Sequence, residues 1–158
     1  MIKRSMIMVA PLWLALAGTC WAQQAPAPTV TVTDAWSRPV PNTHIPGVVY
    51  MTVTATGDNR LTGISTPVAA HAGLHQSQGS DGVMTMRAVD GIDLPAGQPV
   101  KLGPAGYHVM LMGLTQPLVV GKTFPLTLDL AKDGPVTVTV TVRPMGTGSP
   151  PEHDHHQH

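Results

Sequence analysis

Two histidines and two methionines, His75, Met86, His108 and Met110, stand in strand-like stretches of a 158-residue chain that has one cysteine. Two imidazoles and two thioethers suit Cu(I): thioether sulfur is soft and neutral, and imidazole nitrogen is a good copper ligand. A structural zinc site would more usually recruit thiolates.

Each of the four has a blander reading. In Gly106–Leu114 (GYHVMLMGL) the residues alternate. On a strand, positions i and i+2 share a face, so His108, Met110 and Met112 project together, opposite Tyr107, Val109 and Leu111. The second set is apolar and takes the core face, which puts the histidine–methionine row on the outer face. Packing under loops, with methionine as gap-filler, is the alternative. In Met84-Thr85-Met86 the methionines read as the buried face, with Thr85 and Arg87 outside. His75 and His71 lie four apart in AAHAGLHQSQ, again on one face, and either imidazole alone reads as solvated. His44 reads as a loop residue and Trp36 as core.

The elements that must position these residues follow a short leader. Residues 1–22 read as a secretory signal peptide, with basic Lys3 and Arg4, an apolar run from Met6 to Ala17, and small residues at Cys20 and Ala22 suited to cleavage after Ala22. That run is too short for a comfortable membrane span, which takes ~20 residues. Cys20 as a lipidation site is the weaker reading, because Ala17 stands where a lipobox has an aliphatic residue. Cleavage after Ala22 removes the only thiol, and with it disulfide scaffolds, thiol catalysis and blue-copper ligation. It also removes two of the nine basic residues, leaving seven against nine acids, a net charge of −2. No basic stripe remains for nucleic acid.

Residues 23–29 form a Pro/Ala linker. From Val30 the period is two. Val30–Thr33, Gly47–Ala55, Gly106–Leu114, Phe124–Leu130 and Val136–Val142 (VTVTVTV) read as strands, divided by turn signals at Thr56–Asn59, Ser80–Gly82, Pro95–Gly97 and Asp133–Pro135. No window outside the leader has a convincing helical period. Short strands with regular turns predict one all-β domain over 30–143, an antiparallel β-sandwich or barrel. Residues 144–158 read as a flexible tail bearing His153, His155, His156 and His158.

The spacing His75–x10–Met86–x21–His108–x–Met110 resembles the metal motif of the PCuAC family of periplasmic Cu(I) chaperones. Asp34-Ala35-Trp36, Val49-Tyr50-Met51, Asp81–Met86, Pro95-Ala96-Gly97 and Gly106–Leu111 look like the family's blocks, in order, so the resemblance covers Val30 to Val142. Gln76 departs from it where many members carry an acidic residue, which would remove a charge beside the first histidine. Ala105 departs from it in place of a glycine.

The resemblance implies a cupredoxin-like β-sandwich of Greek-key type with an exposed Cu(I) site on His75, Met86, His108 and Met110. It also implies delivery of copper to the CuA subunit of cytochrome c oxidase or to a thioredoxin-like copper protein. The expected protein is a soluble periplasmic monomer, not an enzyme, with no stable membrane insertion. The tail imidazoles suit Cu(II). A copper-buffering protein without a specific client is the competing reading, favoured by the tail. An enzyme fits poorly: electron-transfer cupredoxins need a cysteine ligand, and a histidine-brace monooxygenase needs His at its first residue, where cleavage exposes Gln23.

Overall fold

A computed structural model describes residues 29–80 and 83–144. The leader, most of the linker, the four tail histidines and the side chain of Met84 lie outside the described residues. Ten strands follow one another: β1 (Val30–Ser37), β2 (Gly47–Ala55), β3 (Asn59–Ser65), β4 (Ala69–Ser80), β5 (Val83–Ala88), β6 (Ile92–Leu94), β7 (Pro99–Leu102), β8 (Tyr107–Leu114), β9 (Thr123–Leu130) and β10 (Gly134–Val142). No helix occurs among the described residues.

Hydrogen bonding links the strands in the order β5-β4-β8-β2-β1-β10-β9-β3-β6, with β7 on the C-terminal half of β2. β3 also packs against β4, although the two lie far apart along that path. The sheet therefore folds over on itself as a sandwich around one core. Valine and leucine supply that core: Val49, Val53, Leu61, Val109, Leu111, Leu126, Leu128 and Val140 are fully buried. In β10 the period-two pattern holds, with Thr137 and Thr139 exposed and Val140 and Val142 buried.

The antiparallel expectation has one exception, because β1 and β10 pair in parallel through Trp36↔Thr141 and Ser37↔Val142. These are the first and last strands, so no hairpin dictates their direction. β1 reaches β10 past an irregularity between Thr33 and Trp36, where Asp34 has φ 53°. Aspartate tolerates this left-handed conformation better than most residues, and its carboxylate accepts a bond from the Arg143 guanidinium just past β10.

Trp36 is only half-buried, not a core residue. Its ring lies tilted against Tyr50, with centroids 5.0 Å apart. The indole serves the outer layer, because beyond the bulge β1 presents it beside Tyr50 on β2. His44 sits in an exposed turn whose backbone N–H donates to Asn42 Oδ1.

Candidate metal centre

β4 lies between β5 and β8, and its register decides which side chains meet. Leu74 pairs with Val109 and Ala72 with Leu111, and these apolar residues face the core. The alternate positions form the opposite face. His75 pairs with His108 and Gly73 with Met110 on one side of β4, while Ser77 pairs with Met86 and His75 with Ala88 on the other. All four sequence-predicted ligands thus occupy one face of a three-stranded ladder.

They are not equally close. His75 and His108 share a rung, their rings 6.0 Å apart and 24° from parallel. Met110 follows one alternate position along β8. Met86 lies the other way, on the edge strand β5 one alternate position from the His75 rung. The structure brings together His75, His108 and Met110, and sets Met86 apart on the same face.

Two expectations need correction. Met86 is not buried: it is 60% exposed, and Thr85, Arg87 and Ala88 are exposed as well, because β5 ends the strand path and neither face is covered. His108, in turn, is not solvent-facing: it is 2% exposed. Alternation assigns a face correctly, but it does not tell whether that face is open. Here His75 lies across from His108 on one side, and buried Tyr50 stands one residue beyond the Val49↔Val109 rung on the other.

Both imidazoles are held in the same way. His75 Nδ1 lies 3.4 Å from the Gly73 carbonyl oxygen, and His108 Nδ1 lies 3.3 Å from that of Gly106. Gly73 lacks a side chain where the His75 ring folds back over the chain, whereas a Cβ at Gly106 would meet nothing within 4 Å. A Cβ on Gly73 would lie 3.3 Å from His75 Cε1. A ring whose Nδ1–H faces a carbonyl presents the Nε2 lone pair outward, the tautomer a metal ligand needs. Gly73-Leu74-His75 carries a sequence signal for this posture, while at Gly106-Tyr107-His108 the glycine leaves the ring untouched.

His108 Nε2 has no hydrogen-bond partner and is buried. Leaving such an atom unpaired costs about 1–3 kcal/mol. Ser77 Oγ is the only other buried, unpaired side-chain polar atom among the described residues, and it sits on the same face opposite Met86. Nothing in the sequence singles out Ser77. Gln76 alternates to the far side of β4 and accepts a bond from Gln78 Nε2. Its missing charge therefore does not face the histidine pair.

The donor set discriminates between ions. No group of three or more His, Cys, Asp or Glu that could hold a metal occurs among the described residues. Two imidazoles with methionines on the same face favour a soft, monovalent ion over zinc or a hard divalent cation. Met112, 38% exposed, and His71 continue the face one rung beyond Met110.

Solved structures resemble this chain closely. An apo PCuAC domain from PmoF1 superposes with TM-score 0.62 at 20% identity, covering 74% of this chain and 95% of that domain, and so shares the fold. DR1885 from Deinococcus radiodurans is 33% identical in its apo solution form, covering 94% of this chain and all of that one, with TM-score 0.59. Its Cu(I) form is 32% identical over 80% of this chain and 85% of that one, with TM-score 0.57. The expected cupredoxin-like β-sandwich is the observed fold.

Among curated proteins, "Putative lipoprotein Lxx21020" of Leifsonia xyli subsp. xyli (strain CTCB07) is 30% identical over 115 residues, 72% of this chain and 69% of that protein. The family model described as "Putative lipoprotein LpqE-like" matches residues 30–142, the whole β-sandwich. The chain belongs to the LpqE-like family, and its sandwich has the fold of the solved PCuAC domains.

Proposed function

We propose that this protein is a periplasmic copper metallochaperone. It binds Cu(I) through His75, His108, Met110 and Met86 and passes the ion to a respiratory copper centre. The observation that carries this reading is the buried, unpartnered Nε2 of His108 across from His75, on a face that also bears both methionines. The solved Cu(I) form of DR1885, a third identical to this chain, supports copper as the cargo.

The chemistry follows from the donors. Four neutral ligands leave bound Cu(I) as a +1 complex, and no thiolate locks it in place. His75, His108 and Met110 form the inner set on adjacent positions. Met86, exposed on the edge strand, closes the site and is the donor an incoming ligand displaces first. A thiolate-rich acceptor, such as the CuA subunit of cytochrome c oxidase or a thioredoxin-like copper protein, then outcompetes the thioethers. Binding and release occur by ligand exchange, with no catalytic step.

The tail histidines His153, His155, His156 and His158 collect Cu(II). They also favour a second reading, a copper-buffering protein without a client. A deletion strain separates the two: lost oxidase activity under copper starvation marks delivery, and sensitivity to excess copper marks buffering. The relatives' lipoprotein names bear on Cys20, the first residue a lipoprotein would keep. Intact mass of the secreted protein distinguishes a chain beginning at Gln23 from one beginning at a lipid-modified Cys20.

Replacing single donors tests the site. His108→Ala and Met110→Leu each weaken Cu(I) binding by ~100-fold, equivalent to about 2.7 kcal/mol, measured anaerobically against a competing chelator. Met110→Leu nearly conserves volume, so its loss reads the sulfur. Full affinity in both variants would remove the assignment.

A further inference from the structure

The ligand face extends beyond the four assigned donors. One alternate position past Gly73 and Met110, His71 and Met112 pair directly across β4 and β8 as another histidine–methionine rung. Both side chains are exposed, and Met112 is absent from the apolar cluster and from the residues packed against it. Among the described residues, no hydrogen bond, ion pair or ring contact engages the His71 imidazole. An imidazole without a partner thus stands opposite a thioether without a packing role.

Spacing ties this rung to the first. Residues paired directly across antiparallel strands hold their Cβ atoms about 4.5–5.5 Å apart, a span that a histidine and a methionine can close on one ion. Two residues of strand advance about 7 Å, so Met110 stands midway between the His108 and Met112 positions. Gly73, opposite Met110, leaves no β4 side chain between His75 and His71. Past Met112 the strand reaches Gly113, at φ 63°, where a Cβ would lie 3.1 Å from the Cβ of Ala70. A side chain is therefore disfavoured there, and the β8 backbone can stay close to β4 beside the outer pair.

We propose that His71 and Met112 form a second, solvent-facing Cu(I) pair, which shares Met110 with the inner donors and relays the ion along the face. This rests on the reading of His75, His108 and Met110 as Cu(I) donors. In the relay, the Met86 sulfur leaves copper first, and bonds to the Met112 sulfur and the His71 imidazole then form while those to the His75 and His108 imidazoles break. Met110 stays bound throughout. Every donor is neutral, so copper remains Cu(I) and no electron or proton moves. The exposed pair takes the ion from solution, and the buried pair retains it.

The test uses the full chain, titrated anaerobically with Cu(I) alone while the methionine methyl resonances are followed. His71→Ala/Met112→Leu and His108→Ala are compared with the wild type. Both positions of the double variant are exposed, so it is expected to fold. In the wild type the Met110 methyl shifts with the first equivalent of Cu(I) and the Met112 methyl with the second. The double variant keeps the first equivalent, loses the second, and gives up its copper more slowly to a small thiolate chelator. An unmoved Met112 signal at two equivalents, or wild-type stoichiometry in the double variant, overturns the second pair and leaves the inner site standing. A first equivalent unaffected by His108→Ala overturns the inner site, and the relay with it.

Discussion

The His108 imidazole sets stability against use. With its Nε2 buried and unpartnered, the metal-free protein bears a desolvation cost that a bound ion would remove. His108→Leu should therefore leave the apo protein as stable as the wild type, or more stable by about 1 kcal/mol, while Cu(I) affinity collapses. Thermal unfolding of metal-free and Cu(I)-loaded samples checks both halves. A large loss of apo stability would instead make His108 a structural core residue. At this scale the sequence was partly legible. Residue type and spacing pointed to His75, Met86, His108 and Met110, and two-residue alternation gave the shared face of His108 and Met110, which the β4–β8 register extends to His75. The same alternation misjudged burial in both directions, for His108 and for Met86, because cover comes from strands distant in sequence.

The β4–β8 ladder sets the geometry of the site, and Gly73 is the small residue in it that bears on the His75 ring. A methyl group there would press on the His75 ring. Gly73→Ala is expected to lower Cu(I) affinity ~10-fold or more, about 1.4 kcal/mol, by turning Nε2 away from its partner. Chelator competition reads that loss, and an unchanged melting temperature would show that the ring, not the strand, has moved. β2, β8 and β10 were legible because valine, threonine and methionine alternate cleanly over eight or nine residues. β4 gives a weaker strand signal, since Ala69–Ser80 is rich in alanine, glycine and glutamine. It is a strand because β5 and β8 satisfy it on both sides, a non-local effect that composition does not carry. The parallel β1–β10 pair was hidden for the same reason: its members are separated by the whole domain.

The whole chain combines a β-sandwich with a C-terminal sequence rich in histidine. The proposed copper chemistry divides accordingly, between a mixed nitrogen–sulfur site in the domain and the histidines of residues 153–158. A chain ending at Gly148 should keep its Cu(I) affinity unchanged and lose Cu(II) capacity, measured by titration of each oxidation state separately. Unchanged Cu(II) stoichiometry would take the tail out of the mechanism. The family motif was legible along Val30–Val142 because ligand spacing and strand context repeat together. The copper acceptor was not, since no partner contact leaves a mark on composition or period. The central claim is that the face shared by β4, β5 and β8 holds Cu(I) on histidine and methionine. X-ray absorption of the Cu(I)-loaded protein, with and without residues 149–158, tests it most directly. Mixed nitrogen and sulfur scattering that persists after the tail is removed is the predicted result, and nitrogen-only scattering would contradict it.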